Sequence, residues 1–240
     1  MRTSNPILRN DAFVPDTFGT TQVMTVNGTV HKSALLLIIA IVAAAFTWNL
    51  PRQLGMPIAM GGAILGFIAC LVLCFKKTWA PVLAPVYAVF EGLFLGGISA
   101  MYNAQFNGIV VQAVMITFGT FAALLAAYQT GVIRASENFK LGIFAATGGI
   151  CLVYLVTMIL GFFGISVPFI HSTGWMGIGF SLFVVVIAAL NLVLDFDFIE
   201  QGAASRAPKY MEWYAAFGLL VTLVWLYVEV LRLLSKLNRR

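Results

Sequence analysis

The chain combines 240 residues with a composition that is 61% hydrophobic and only 10% charged. Soluble domains carry roughly 45–50% apolar and about 25% charged residues, so this composition excludes a soluble enzyme and a nucleic-acid-binding domain. A mean hydropathy of +0.96 indicates a polytopic helical membrane protein. In such a protein the net charge of +5 is explained by basic cytoplasmic loops, and no nucleic-acid partner is expected.

Seven apolar segments follow one another, and each has the length that a helix needs to cross a bilayer. A ~30 Å hydrocarbon core takes about 17–25 helical residues, and the ~10-residue alternation of a membrane β-barrel is absent. The segments cover about residues 33–50, 57–75, 80–102, 108–129, 141–163, 174–198 and 215–235. The sequence therefore predicts an all-α integral membrane protein, a bundle of seven transmembrane helices in contact with lipid.

A polar leader precedes the first apolar segment. Residues 1–32 contain no positively charged stretch followed by an apolar one, so we expect no cleaved signal peptide. The predicted organisation is this leader followed by one membrane domain, residues 33–240.

The distribution of Lys and Arg predicts the orientation, because cytoplasmic loops are enriched in both. One side holds nine of them: Arg2, Arg9, Lys32, Lys76, Lys77, Arg134, Lys140, Arg206 and Lys209. The loops of the other side hold only Arg52. We therefore expect a cytoplasmic N-terminus, in the inner (plasma) membrane of a bacterium.

The seventh segment leaves two topologies open. Seven crossings place the basic C-terminus, with Arg239 and Arg240, on the outer side. Alternatively, the seventh segment is re-entrant and the C-terminus returns to the cytoplasm.

Catalytic and metal-binding motifs are not found in the sequence. It has no His-Glu-x-x-His, Gly-x-Ser-x-Gly or phosphate-binding-loop spacing. We therefore expect no enzymatic activity, no catalytic residue and no bound cofactor. Cys70, Cys74 and Cys151 lie in apolar segments and are expected to be small packing residues.

Acidic residues inside the apolar segments are the most informative feature, because an intramembrane carboxylate is costly and indicates a functional site or a paired partner. They are Glu91, Asp195, Asp197 and Glu229. Glu91 adjoins Gly92 and Gly96, whose four-residue spacing lets another helix approach closely. We therefore expect Glu91 to be buried in the bundle, as a functional or as a protonated structural glutamate.

Asp195 and Asp197 point to nearly opposite sides of a helix, because each residue turns the helix by ~100°. Asn191, four residues before Asp195, extends a polar stripe on the Asp195 side. We predict that Asp195 faces the interior of the bundle and that Asp197 is a solvated charge at its cytoplasmic end.

Glu229 in the seventh segment allows two interpretations. Arg232 lies one turn further along the same helix and can neutralise Glu229 as a local ion pair. Alternatively, the partner of Glu229 lies on the sixth helix.

Three short motifs occur in order in the third, sixth and seventh segments: EGLFLG at residues 91–96, LDF at residues 194–196 and LYVEV at residues 226–230. They resemble the Glu-Gly-Leu-Thr-Leu-Gly motif, the sixth-helix aspartate and the seventh-helix Leu-Phe-Leu-Asp-Phe pattern of the Bax inhibitor-1 (transmembrane BAX inhibitor motif, YccA-like) family. The resemblance spans about residues 33–235, and MTVNGTV at residues 24–30 is similar to a bacterial branch of this family.

The resemblance implies a pH sensor of two carboxyls between helices six and seven, here Asp195 and Glu229, that gates a slow calcium leak. Two adjoining carboxyls share a proton and titrate as a unit, and their oxygens suit transient calcium binding. The supporting residues are expected to be Glu91, Asn191, Asp197 and Arg232. For some bacterial members the resemblance also implies an interaction with a membrane protease.

The sequence departs from the family pattern around this acidic pair. Glutamate replaces the seventh-helix aspartate, and the second segment lacks the arginine that some relatives carry. The connection is also longer, so Asp195 and Glu229 lie level only if the hairpin turns near residue 212.

Two further functions remain open at this point. A regulator or inhibitor of another membrane protein needs no ion path. A proton-coupled transporter would use the acids as a proton relay and needs a site for an organic substrate.

Overall fold

The structure, a computed structural model, describes residues 23–163 and 174–239. Within these ranges, seven helices are long and apolar enough to cross a membrane. They are α1 (Val26–Trp48), α2 (Arg52–Phe75), α3 (Ala80–Gln105), α4 (Ile109–Gln129), α5 (Glu137–Phe162), α6 (Trp175–Ala204) and α7 (Met211–Asn238), with a 3₁₀ turn at Lys77–Trp79 between α2 and α3. The predicted all-α class with seven membrane helices is confirmed.

The first helix begins earlier than hydropathy predicts, at Val26 rather than near residue 33. Thr25 caps it, because the Thr25 hydroxyl accepts a hydrogen bond from the Gly28 amide at 3.0 Å and so satisfies a free donor of the first turn. Polar residues of the expected leader therefore belong to the helix. The rest of that leader, residues 1–22 with Arg2 and Arg9, lies outside the described residues.

The last helix shows no interruption. α7 runs for 28 residues, about 42 Å at 1.5 Å per residue, which is enough for a full crossing. Residues 211–238 therefore contain no re-entrant turn. The hairpin between α6 and α7 turns over residues 205–210, and Arg206 adopts a positive φ of 54° there.

The described helices form two compact units. The first contains α1, α2, α3 up to Ile98 and the α6–α7 hairpin from Asp197 to Leu220. The second contains the end of α3, α4, α5, α6 up to Phe196 and α7 from Val221 onwards.

Small residues hold the first unit together. A Cβ atom on Gly92 or Gly96 of α3 would collide with the backbone carbonyl of Ala40 or Ala44 of α1, respectively. The close approach predicted from the Gly92–Gly96 spacing is therefore confirmed, and it is the contact that van der Waals packing in a membrane favours.

The second unit has an apolar core between α5 and α6. It is formed by Ile143, Ile150, Val184 and Ile187, with Tyr154, Phe180, Leu194 and Trp225 packed against it. Most large apolar side chains on the opposite face of α5 are exposed, among them Leu141, Phe144, Leu152 and Met158. In a membrane protein such a face contacts lipid.

Candidate functional site

Asp195 lies in α6 with its carboxyl turned towards α7. The Asp195 carboxyl forms a hydrogen bond with Thr222 of α7. Its Oδ2 atom is buried and has no hydrogen-bond partner among the described residues. No ion pair among the described residues involves Asp195, so its carboxyl has no counter-charge there and one of its oxygens is unsatisfied.

Asn191 lies one turn before Asp195 and links α6 to α5. Its Nδ2 atom donates to the Thr147 hydroxyl at 2.9 Å and to the Ile187 carbonyl at 2.8 Å. The side-chain amide is thus held in place by one inter-helix and one intra-helix hydrogen bond.

Glu229 is 2% exposed and is held by its own helix and by α5. Its Oε1 atom accepts hydrogen bonds from Arg232 Nη1 at 2.8 Å and from the Tyr154 hydroxyl at 3.0 Å. Arg232 Nη1 also donates to the Tyr154 hydroxyl at 2.7 Å. Within the described ranges, the Oε2 atom of Glu229 is buried without a hydrogen-bond partner. The local ion pair with Arg232 is therefore the arrangement that the structure contains.

The two acids that the resemblance pairs thus have different partners. Asp195 contacts Thr222, and Glu229 lies seven residues further along α7, about 10 Å at 1.5 Å per residue. The described hydrogen bonds do not join the two carboxyls. The reason lies in the hairpin: because α7 already begins at Met211, Thr222 rather than Glu229 is level with Asp195.

Asp197 and Glu91 lie in the first unit. Gln201 Nε2 donates to Asp197 Oδ2 at 2.5 Å near the end of α6. The Glu91 carboxyl forms a hydrogen bond with Tyr87 on its own helix. It faces Gly66 of α2, where a Cβ atom would lie 3.2 Å from Glu91 Oε2.

Glu212 is a buried acid that the sequence reasoning missed. It is 0% exposed and accepts hydrogen bonds from the Thr25 amide and hydroxyl, each at 2.9 Å. Lys209 donates to it at 2.8 Å, and Lys32 forms a second ion pair with it. In the sequence Glu212 follows a polar loop, so nothing there distinguishes it from a solvated charge.

Lys236 is a second buried charge that the sequence reasoning missed. It is 5% exposed, and its Nζ atom donates to the Gly177 carbonyl at 2.9 Å and to the Ser181 hydroxyl at 2.8 Å. These contacts join the end of α7 to the start of α6.

No cluster of three or more His, Cys, Asp or Glu side chains occurs among residues 23–163 and 174–239. A cation that binds at Asp195 would therefore have fewer than three such side chains as ligands, with hydroxyl, carbonyl or water oxygens completing its shell.

Comparison with known proteins bears on the whole chain. No curated protein matches it. The Bax inhibitor 1 like family matches residues 5–239, nearly its full length. This match confirms the resemblance carried by the motifs of the third, sixth and seventh segments, and the chain belongs to the Bax inhibitor 1 like family.

Proposed function

We propose that the protein is a slow, calcium-permeable leak and that Asp195 is an ion-binding residue of its path. The observation that carries this proposal is the buried Oδ2 atom of Asp195, which has no hydrogen-bond partner in the part of the chain that the structure describes, while the carboxyl is held by Thr222. A carboxylate without a counter-charge is costly inside a membrane, and a passing cation supplies the missing charge. Calcium favours such carboxylate and hydroxyl oxygens.

The surroundings of Asp195 suit passage better than permanent binding. A calcium ion takes six to eight oxygen ligands when it is held tightly. Here the neighbouring polar groups are neutral: the Thr222 hydroxyl, and the Asn191 amide with its Thr147 partner one turn away. One carboxylate with neutral neighbours binds calcium weakly, which is what a conducting site requires.

The same carboxyl makes the proposed leak sensitive to pH, because a proton and a cation compete for one oxygen. The described contacts of Asp195 and of its neighbours Asn191 and Phe196 are with uncharged groups: Thr222 from α7, Thr147 from α5, and the rings of Phe121 and Tyr128 from α4. Asp195 is therefore the group whose protonation we expect to control flux.

The orientation is part of the proposal. We infer that the N-terminus is cytoplasmic, because nine Lys and Arg residues lie on that side and one in the loops of the other. The membrane is proposed to be a bacterial inner membrane. Reporter fusions at residues 104–106, where α3 ends, test the orientation, and a cytoplasmic signal there contradicts it.

Calcium flux into liposomes tests the function. Purified protein is reconstituted into vesicles that contain a calcium dye, and flux is recorded at several pH values. Asp195→Asn should abolish the calcium flux, since Asn keeps the size of the side chain and removes the charge. Asp197→Asn is the matched control: the same change two residues away, at a side chain bonded to Gln201, should leave most of the flux.

Two results contradict the proposal. The first is wild-type flux equal to that of protein-free vesicles. The second is an equal loss of flux in both variants, which would mean that charge near the end of α6 matters rather than the oxygen of Asp195. If the wild type shows no flux, co-purification of a membrane protease would favour the alternative function, a regulator or inhibitor of another membrane protein.

A further inference from the structure

Glu229 on α7 is a second acidic side chain of this unit, and the cationic side chain of Arg232 is already paired with it. The Arg232 guanidinium lies 2.8 Å from Glu229 Oε1, and the carboxyl is 2% exposed. Tyr154 fixes this guanidinium from α5, by a hydrogen bond at 2.7 Å and by its ring, whose centroid lies 5.1 Å away. Since an arginine does not lose its charge in a protein, the occupant is permanent.

Only one of the two Glu229 carboxylate oxygens, however, forms hydrogen bonds with the described residues. The Oε2 atom is buried and has no hydrogen-bond partner among residues 23–163 and 174–239, although Oε1 accepts from both Arg232 and Tyr154. A carboxyl built only as a structural ion pair would use both oxygens, as bidentate arginine pairs do. We interpret Glu229 as a cation-binding side chain whose Oε1 atom is bound by Arg232 and whose Oε2 atom remains without a partner among the described residues.

Polar groups occur at intervals along α7 within the second unit. Thr222 bonds Asp195, the Tyr227 hydroxyl lies 2.7 Å from Ser99 Oγ, and Glu229 and Lys236 follow. From Thr222 to Glu229, and again from Glu229 to Lys236, the helix rises about 10 Å. Glu229 therefore lies between Asp195 and the far end of α7.

We propose that Arg232 is a tethered blocking ion, which occupies the Glu229 position and so keeps the leak slow. The inference rests on the proposed function and names the residue that limits it. A calcium ion that reaches Glu229 meets a neutralised carboxylate and a fixed positive charge, so it gains little by binding and is repelled. Removing the guanidinium leaves a carboxylate that attracts cations.

Other basic residues near the end of α7 do not take this role. Lys236 donates to Gly177 and Ser181 of α6. Arg239 is exposed and donates to Gln105 at 3.1 Å. Arg239→Gln therefore removes the same charge from the same helix end without changing Glu229, which makes it the matched control for Arg232→Gln.

The flux experiment compares these variants in calcium-dye liposomes. Arg232→Gln should raise the initial calcium flux by on the order of tenfold, because it removes a full positive charge at ion-pair distance from Glu229. Arg239→Gln should change it less than about twofold, because this exposed charge is screened by solvent. Equal flux in Arg232→Gln and the wild type, or an equal rise in both variants, overturns the inference.

A double variant guards against a fold defect. Arg232→Gln alone leaves a buried carboxylate uncompensated, whereas Glu229→Gln with Arg232→Gln removes both charges and keeps both side-chain lengths. The double variant should leak more slowly than Arg232→Gln, because no carboxylate remains to attract cations. If it leaks as fast as Arg232→Gln, the increase comes from loosened packing and the inference is wrong.

Terbium luminescence separates this inference from the proposed function. Tb³⁺ replaces Ca²⁺ at oxygen sites and is excited through a nearby tyrosine, here Tyr154. Arg232→Gln should gain a luminescent site that both the wild type and the double variant lack. Absence of that gain overturns the inference even where the wild type leaks. Absence of flux in both the wild type and Arg232→Gln overturns the proposed function, and the terbium result then decides whether Arg232 occupies a cation site at Glu229.

Discussion

Two acids with buried carboxylate oxygens, Glu212 in the first unit and Asp195 in the second, differ in how those oxygens are satisfied. Glu212 has two lysines and both donors of Thr25 around its carboxyl. The Asp195 carboxyl forms a hydrogen bond with the neutral side chain of Thr222, and its buried Oδ2 atom has no partner among the described residues. A buried charge costs free energy unless it is paired and hydrogen-bonded. A satisfied carboxyl therefore stabilises the fold, and an unsatisfied one is expected where a ligand comes and goes.

The largest loss of stability is expected from Glu212→Gln. The change leaves Lys32 and Lys209 without their buried carboxylate, and removing one partner of a buried pair typically costs several kcal/mol. Because Lys209 is partly exposed, we expect a loss of about 2–3 kcal/mol in the free energy of unfolding. Thermal unfolding in detergent measures it. Glu137→Gln, at an ion pair whose carboxylate side chain is 78% exposed, should change stability by less than about 0.5 kcal/mol.

A similar but smaller effect is expected at Gly28, which packs against the same carboxyl. A Cβ atom on Gly28 would collide with the Glu212 carboxylate. We therefore expect Gly28→Ala to lower stability by about 1–3 kcal/mol. Gly142→Ala is the control, since no atom lies within 4 Å of its Cβ position and alanine favours a helix. Equal melting temperatures for the two variants would contradict the packing around Glu212.

Thr222→Val tests the single partner of Asp195. Valine has nearly the shape of threonine and removes only the hydroxyl, so stability should fall by about 1 kcal/mol, the usual net value of a hydrogen bond. Calcium flux should persist, because the carboxylate remains. Loss of flux in Thr222→Val with an unchanged melting temperature would show that the hydroxyl rather than Asp195 binds the ion.

The smallest stability effect is expected from Asp195→Asn. The carboxyl already has an unsatisfied oxygen, so its neutral replacement should change the unfolding free energy by less than about 1 kcal/mol. Calcium flux, by contrast, should disappear. A destabilisation as large as that of Glu212→Gln would mean that Asp195 is a structural acid and would remove the contrast between the two units.

Hydropathy alone predicted the seven helices, because the length of apolar sequence fixes what can cross a bilayer. It also identified Asp195 and Glu229 as unusual. It did not give their partners, because those depend on where one loop turns: a shift of seven residues brings Thr222 rather than Glu229 opposite Asp195. Glu212 was missed for a related reason, since its burial results from contacts with residues almost 190 positions away.

The contact between Thr25 and Glu212 also bears on how the protein is made. The two residues are separated by 187 positions, and Met24 donates a hydrogen bond to Ala207 beside them. Membrane helices leave the ribosome in sequence order. The capping residue Thr25 and Lys32 of α1 can therefore contact the Glu212 carboxylate only after the start of α7 has been synthesised. The first unit is therefore completed only by the last helix to be synthesised. Ribosome-stalled chains that end before Met211 should leave the start of α1 open to protease.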